Sequence, residues 1–467
     1  MRLIEPAYLT DGDSLSQLDG KDLSSKPKID KILESPTLGE EMNVWRRNLG
    51  VSNGQGKSTG VVKTSPIAGA NAGRRRVNRR VLAAAPLISV VLLAAACGSA
   101  SSTPASSSTT AGSTAATAAS SSGNASLKAS LAKLEVAPTF TPPGPAFSAS
   151  KLAGSKIVTV DCAPSAAPPA QTTAATVAAG KAAGLNVTVL AGGNEDIPLD
   201  TQFIDQAINQ KPIAIITVGC TPPLLTVPLQ AAKAAGIPVV CANYIPPTVG
   251  APGQGCGPLA FGDAMQPASE GTVLAELIAL NGPKNAQIGF LSADEIAGSP
   301  AVEKTFKAGL AQYCPSCKIT AIQNVNPGNW VTSLTPTINA MLVAHPNLNY
   351  LIPVFDGMTP FVTAALKSSP AGKSVKVITT QGSIGAAMTD VENGTFVADV
   401  GSSDTWVGWT AIDQAMRAAL KLPPETNPSV PIRLETAASL QGADPTSDSA
   451  IYGTSYVQGF MKLWGLG

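Results

Sequence analysis

Three short stretches of this 467-residue sequence carry reactive residue types at spacings that could do chemistry. The first, Gly50 to Gly60 (GVSNGQGKSTG), contains the Gly-Lys-Ser of a phosphate-cradling loop, in which backbone N–H groups wrap phosphate between an incoming strand and an outgoing helix. Val51 stands where that loop needs its first glycine, the preceding EEMNVWRRNL shows no apolar strand run, and the following VVKTSPIAGANAG shows no helical period. The stretch therefore reads as a coincidence in polar, glycine-rich chain. The second, Cys314-Pro-Ser-Cys317, has the spacing of a redox dithiol but falls between a helix-like and a strand-like run rather than opening a helix, so a small structural disulfide is expected. The third is His345, the sole histidine, after the apolar run MLVA. A histidine-dependent triad would have this one base, no nucleophile-elbow pattern accompanies it, and a histidine-rich metal site is excluded. No catalytic residue, metal site or cofactor is assigned, and the chain is not expected to be an enzyme.

The chemistry must then lie in what the surrounding elements build. With 32 basic against 31 acidic residues and 13% charged overall, the chain has no field for gripping nucleic acid. Gly (43) and Pro (38) are abundant and aromatics are 4%, so part of the length is low-complexity. The basic block Arg74 to Arg80 precedes VLAAAPLISVVLLAAAC, Val81 to Cys97, which is the layout of an export signal and is shorter than the ~20 apolar residues of a membrane-spanning helix. Its end resembles the bacterial lipoprotein box, with Ala94 where that box prefers leucine and Leu93 one place further back. The resemblance implies lipidation at Cys97, export, and anchoring to the outer face of the bacterial cytoplasmic membrane. Residues 1–73 are then a polar extension upstream of the signal, either an overcalled start or a cytoplasmic extension, and 74–96 is the signal. Residues 97–154, rich in Ser, Thr, Ala and Pro, have too few apolar groups to offset the entropy of ordering and are expected to be a flexible tether.

From Lys156 the texture becomes a repeated alternation of strand-like and helix-like runs: KIVTVDC then AQTTAATVAAGKAAG, LNVTVL then LDTQFIDQAINQ with Asp200 as expected cap, AIITVG, IPVVCAN, and a second set from QIGFLS to TAIDQAMRAALKL. Such alternation implies parallel sheets covered by helices on both faces. About ten strands exceed one compact sheet of this kind, so an α/β fold of two Rossmann-like lobes is predicted.

INQKPIAIITVGCTPPLLTVPLQAAKAAGIPVV resembles the first lobe of the type I periplasmic, ribose-binding-like solute receptors of ABC importers. GSPAVEKTFKAGLAQY, MLVAHPNLNYLIPVFDGM, VKVITTQGS and VENGTFVADVG follow in the family's order. The resemblance spans about 300 residues and implies lobes at 155–259 plus 405–430 and at 260–404 plus 431–467, joined by three crossings near Leu259 to Asp263, Gly401 to Thr405 and Asn427 to Ile432. It places ligand in the cleft at the carboxyl ends of the strands. Carried over by position, the pocket would use Asn243, Tyr244, Trp330, Phe355, Asp356, Gln381, Ser402 and Asp161. The arginines with which the family grips sugar hydroxyls are replaced, one by Asn243-Tyr244 and another near Val302, which points to a small, mostly neutral ligand and gives no support to ribose in particular. Each position also has a plainer role: Trp330 can pack on its lobe, Tyr244 can cover a loop, Asp356 can cap a helix near Met358 and Asp161 can hold its own loop.

Besides Cys97 and the Cys314–Cys317 pair, Cys162, Cys220, Cys241 and Cys256 remain, an even number suited to an oxidising compartment. In the family's sheet order the first and third strands are neighbours, which favours Cys162 with Cys220 and Cys241 with Cys256; Cys220 with Cys241 competes. The implied function is a monomeric, lipid-anchored receptor that hands a small solute to an ABC permease in the membrane. A ligand-sensing subunit for a signalling protein and a cell-envelope α/β hydrolase are the alternatives.

Overall fold

In a computed structural model the described residues are 124–467, apart from 195, 245–256, 258, 265–267, 297, 383–384 and 426–429. The signal, Cys97, Cys256, the residues before 74 and the Gly50 to Gly60 stretch lie outside them.

The first sheet is built from β1 (Lys156–Asp161), β2 (Asn186–Ala191), β3 (Ala214–Val218), β4 (Val239–Ala242) and β5 (Gly262–Ala264). They run in the order β2-β1-β3-β4-β5, all parallel. The central strands β3 and β4 are buried along their whole length, as apolar runs covered on both faces must be. Between them run α1 (Ala167–Ala182), α2 (Ile197–Asn209) and α3 (Thr226–Ala234). In α2 the cap is Asp196, whose carboxylate accepts the Leu199 N–H at 3.2 Å, and not the expected Asp200, which lies buried inside the first turn.

The second lobe contains α4 (Glu270–Asn281), β6 (Gln287–Ser292), α5 (Gly298–Tyr313), β7 (Lys318–Asn324), α6 (Trp330–Ala344), β8 (Tyr350–Pro353), α7 (Thr359–Ser368), β9 (Lys376–Gln381), α8 (Ala386–Glu392) and β10 (Ala398–Ser402). After β10 the chain returns to the first lobe as α9 (Asp404–Ala419), then crosses back to add β11 (Ile432–Glu435) antiparallel to β10. The sheet order is β11-β10-β9-β8-β6-β7. Its core is a large apolar cluster around Phe290, Ile352, Ile378 and Phe306, with the two phenylalanine rings stacked 5.7 Å apart. The short strands β5 and β11, three and four residues long, are absent from the sequence reading because neither forms an apolar run.

The chain passes from β5 of the first lobe to α4 of the second, back at α9 and out again to β11, and then passes between the lobes once more. After α10 (Asp448–Tyr452), helix α11 (Ser455–Leu463) returns to the first lobe, where Tyr456, Phe460 and Trp464 pack with Trp406 and Trp409 of α9. The expectation that 431–467 belongs wholly to the second lobe is thereby corrected: α11 has a strongly amphipathic face, and the aromatic surface of α9 buries it.

The tether expectation is also corrected for its last thirty or so residues. Residues 124–134 are helical, and Leu131 is buried in the second lobe's core. The chain then carries Phe140 onto Trp406 and Phe460, and Ala149 and Leu152 into the first lobe's core. Few apolar residues suffice here because they dock on a finished surface instead of building a core of their own. Buried arginines fasten the segment: Arg417, paired with Asp413 at 2.6 Å, donates to the Pro145 carbonyl and lies over the Phe147 ring, and Arg433 donates to the Glu135 carbonyl.

Candidate binding site

The carboxyl ends of both sheets face one cavity of about 430 Å³, which is enough for a small organic molecule. From the first lobe it is lined by the loop after β1 (Ala163, Ser165, Ala166) and the start of α1 (Ala167, Pro168, Pro169), with Gly219 after β3 and Asn243 after β4. From the second lobe come Ile296, Trp330, the Phe355–Gly357 turn after β8, Pro360, Gln381 at the end of β9, and Ala386 and Ala387. Most of this wall is alanine, proline and aromatic carbon.

The polar groups are held from behind. Asn243 adopts a left-handed backbone (φ 50°), and its amide donates to Asp404 Oδ1 at 2.8 Å and to Thr172 Oγ1 at 3.2 Å. Trp330 opens α6, and its indole N–H donates to the Val325 carbonyl at 2.8 Å, which fixes the ring. The ring edge lies against Gly357, where an added Cβ would come within 2.7 Å of Cζ3, so glycine is required for that close approach. Asp356 is nearly buried and accepts from the Thr379 hydroxyl at 3.2 Å, and it shares a hydrogen bond with Asp399. It is not a helix cap; its carbonyl instead accepts the Thr359 hydroxyl at 2.7 Å. Gln381 also has positive φ (103°), and the next residue, Gly382, is pinned by its N–H to Asp399 at 3.1 Å and by Tyr452 to its carbonyl.

Of the eight positions carried over from the sequence, the structure brings Asn243, Trp330, Phe355, Asp356 and Gln381 together around the cavity. Asp161 sits at the end of β1 but its carboxylate turns to the Ala163 N–H (3.0 Å) and the Thr173 hydroxyl (2.7 Å); burial raises its pKa, and these two bonds oppose the rise. Tyr244 packs on Cys241 and Ala260, and burial pushes its phenol up. Ser402, the last residue of β10, is fully buried. His345 caps the far end of α6. Not foreseen were Ile296, Gly357, Pro360 and the alanine-proline lip of α1, which carry no reactive group to flag them.

Each lobe carries a disulfide. Cys162 bonds Cys220, tying the ends of neighbouring strands β1 and β3, and Cys314 bonds Cys317. Cys241 is disulfide-bonded as well, while Cys256 lies outside the described residues.

Behind the cavity the crossings hold a set of buried carboxyls: Glu270 at the start of α4, Asp399 in β10, Asp404 at the start of α9 and Glu435 in β11. Burial raises all four, Asp399 to about 6, and mutual repulsion pushes Glu270 and Glu435 further. Among the described residues no group of three or more such side chains could hold a metal ion, and no helix is long and apolar enough to cross a membrane.

Residues 169–422, more than half of the chain, match the family described as periplasmic binding protein domain. Comparison with curated proteins finds no match. Among solved structures, similar folds include an ABC transporter solute-binding protein of Agrobacterium vitis bound to α-D-tagatopyranose (15% identity, TM-score 0.54, covering 62% of this chain and 96% of that one). Others are a glucose-galactose binding protein of Geobacillus stearothermophilus (14%, 0.54, 62% and 99%) and a 5-methylthioribose transporter solute-binding protein of Thermotoga lettingae in complex with 5-methylthioribose (17%, 0.54, 66% and 98%).

Proposed function

The chain belongs to the periplasmic binding protein domain family, and on that premise we propose that it is the solute-capturing receptor of an ABC-type importer, exported and held to the membrane by lipid on Cys97. The observation that carries the reading is the cavity itself: Asn243 of one lobe faces Trp330, Asp356 and Gln381 of the other, so a ligand there touches both and favours the closed form over the open one. A permease that recognises the closed form then receives loaded receptor. The ligand is small, uncharged over most of its surface and sugar-like in size; the solved relatives above that hold tagatopyranose and 5-methylthioribose support that class. A wall this rich in alanine, proline and aromatic carbon, with no arginine or lysine among its residues, suits a ligand with a substantial apolar face.

A melting-temperature screen of the full chain against sugars, deoxy and thio sugars, polyols and amino acids tests the proposal. A ligand at a hundred times its Kd stabilises by about 2.7 kcal/mol, and no turnover should accompany it. A screen without any shift, or one with hydrolysis of a hit, counts against the receptor. The anchor is tested separately: Cys97→Ser should release the protein from membranes into the soluble fraction, and an unchanged membrane fraction would remove lipid on Cys97 from the account.

A further inference from the structure

The cavity is polar at one end and apolar at the other, and both lobes grade the same way. In the first sheet Asn243 follows β4, the neighbour of β5 from which the chain crosses, and its amide is held by Asp404 just beyond β10. In the second sheet Gln381 ends β9, in register with Gly401 of β10. The Asn243 side-chain carbonyl and the Gln381 side-chain amide have no hydrogen-bond partner among the described residues, so both are open to a ligand. Gln381 also stands at φ 103°, a backbone that suits glycine and strains a residue with a Cβ, so its side chain is retained against the local preference. Asp356 lies between the two ends, with its carboxyl engaged by the Thr379 hydroxyl and by Asp399.

Away from the crossings the wall turns to carbon. Two strand positions from Asn243, about 10 Å at ~4.8 Å per strand, the lip after β1 presents Ala166, Ala167 and Pro168. Pro168 and Pro169 take two N–H groups out of the first turn of α1, so carbon stands where an open helix end would offer donors. Opposite, Ile296 follows β6 and Trp330 follows β7, the two strands farthest from β10 and β11, and Pro360 removes another N–H from the first turn of α7. Trp330 spends its indole N–H on Val325 O and keeps its ring for contact. Ser165, the one polar side chain of the lip, is exposed and keeps its water.

Building on the receptor reading, we propose that the ligand is a neutral, two-ended molecule, a hydroxylated head that carries an apolar substituent such as an alkylthio or aryl group. The head lies toward the crossings, where the Gln381 amide and the Asn243 carbonyl read its hydroxyls. The substituent lies between the α1 lip and the Trp330 ring. A plain sugar of the same head fills the polar end alone and forgoes the apolar burial at the other.

The test is calorimetric titration of the full chain with two matched pairs, D-ribose with 5-methylthio-D-ribose and D-glucose with phenyl β-D-glucoside. In at least one pair the substituted member should bind about tenfold more tightly than its parent. Trp330→Ala should weaken the substituted member to the level of the parent sugar. Gln381→Gly should weaken both members of the pair alike, while its urea midpoint stays level or rises because the strained backbone relaxes. Should Trp330→Ala fail to fold, Ala166→Asp at the exposed lip, where an acidic residue suits a helix start, should likewise weaken the substituted member alone. Parents that bind as tightly as their substituted partners, or a preference that survives these lip and ring variants, overturn the inference and leave the receptor standing. The same holds if the wider melting screen finds ligands and none of these four is among them. A chain that binds nothing in that screen fails as a receptor and takes the inference with it.

Discussion

At the scale of single residues, the site depends on a ring held still. The Trp330 indole is fixed at one end by its bond to Val325 O and is met at its edge by Gly357, whose backbone has no room for a side chain there. Gly357→Ala should therefore displace the ring toward the cavity, since the indole edge is the part that can move. Overpacking at a yielding neighbour costs about 1 kcal/mol of stability, whereas ligand affinity should fall by about tenfold. Urea unfolding and ligand titration of the variant separate the two, and unchanged affinity would show that the ring position does not matter. Trp330, Asn243, Phe355, Asp356 and Gln381 came from the family resemblance carried over by position, and the structure sets these five around the cavity. Asp161 came the same way, yet its carboxylate is captured by the Ala163 amide and the Thr173 hydroxyl, a competition decided by side-chain geometry that spacing does not encode. The prolines were illegible for another reason: they act through an N–H that is missing, and pattern reading searches for groups that are there.

At the scale of elements, the strand and helix alternation was readable because parallel strands buried on both faces are continuous apolar runs, as in AIITV of β3. The crossings were readable only in outline, because what distinguishes them is charge buried where no sequence rule expects it. Glu270 is wholly buried at the start of α4, and neither carboxylate oxygen has a hydrogen-bond partner among the described residues. Burial raises its pKa well above the ordinary value, and Asp399, Glu435 and Asp404 add to the rise. A carboxyl whose pKa is higher in the folded than in the unfolded state binds its proton more tightly when folded. Its contribution to stability is then complete below the ordinary carboxylate range and is lost as pH rises through the raised value, which for Asp399 lies at about 6. Glu270→Gln should accordingly match the unaltered protein near pH 4.5 and exceed its stability at pH 8, with a flatter dependence between. Urea midpoints at the two pH values measure this, and equal slopes for the two proteins would mean that Glu270 does not titrate against folding. The N-terminus of α4 favours the charged form somewhat, but burial and the neighbouring carboxyls leave the protonated form of Glu270 ahead.

At the scale of the whole folded unit, the two lobes are joined by more than the crossings between their sheets. The 124–154 segment runs from the second lobe's core at Leu131 to the first lobe's core at Ala149 and Leu152, and α11 follows the same route from the other end of the chain. Phe140 and Gly459 of α11 touch so closely that a Cβ on the glycine would collide with the ring, and the Ser455 hydroxyl donates to the Pro138 carbonyl, so the two terminal segments brace each other. The composition of residues 97–154 concealed this because a handful of apolar residues spread over thirty others reads as disorder, while their partners lie some three hundred positions away. A chain lacking residues 1–123 should be as stable in urea as the full chain. One lacking 1–154 loses Leu131, Leu152, Phe140 and Phe147 from their packing, and removes the Pro145 carbonyl from Arg417 and the Glu135 carbonyl from Arg433. At ~1.5–3 kcal/mol for each large apolar side chain, discounted because the phenylalanines are only half-buried, the loss should be at least about 5 kcal/mol. Equal urea midpoints for the two truncations would show that the segment merely lies on the surface.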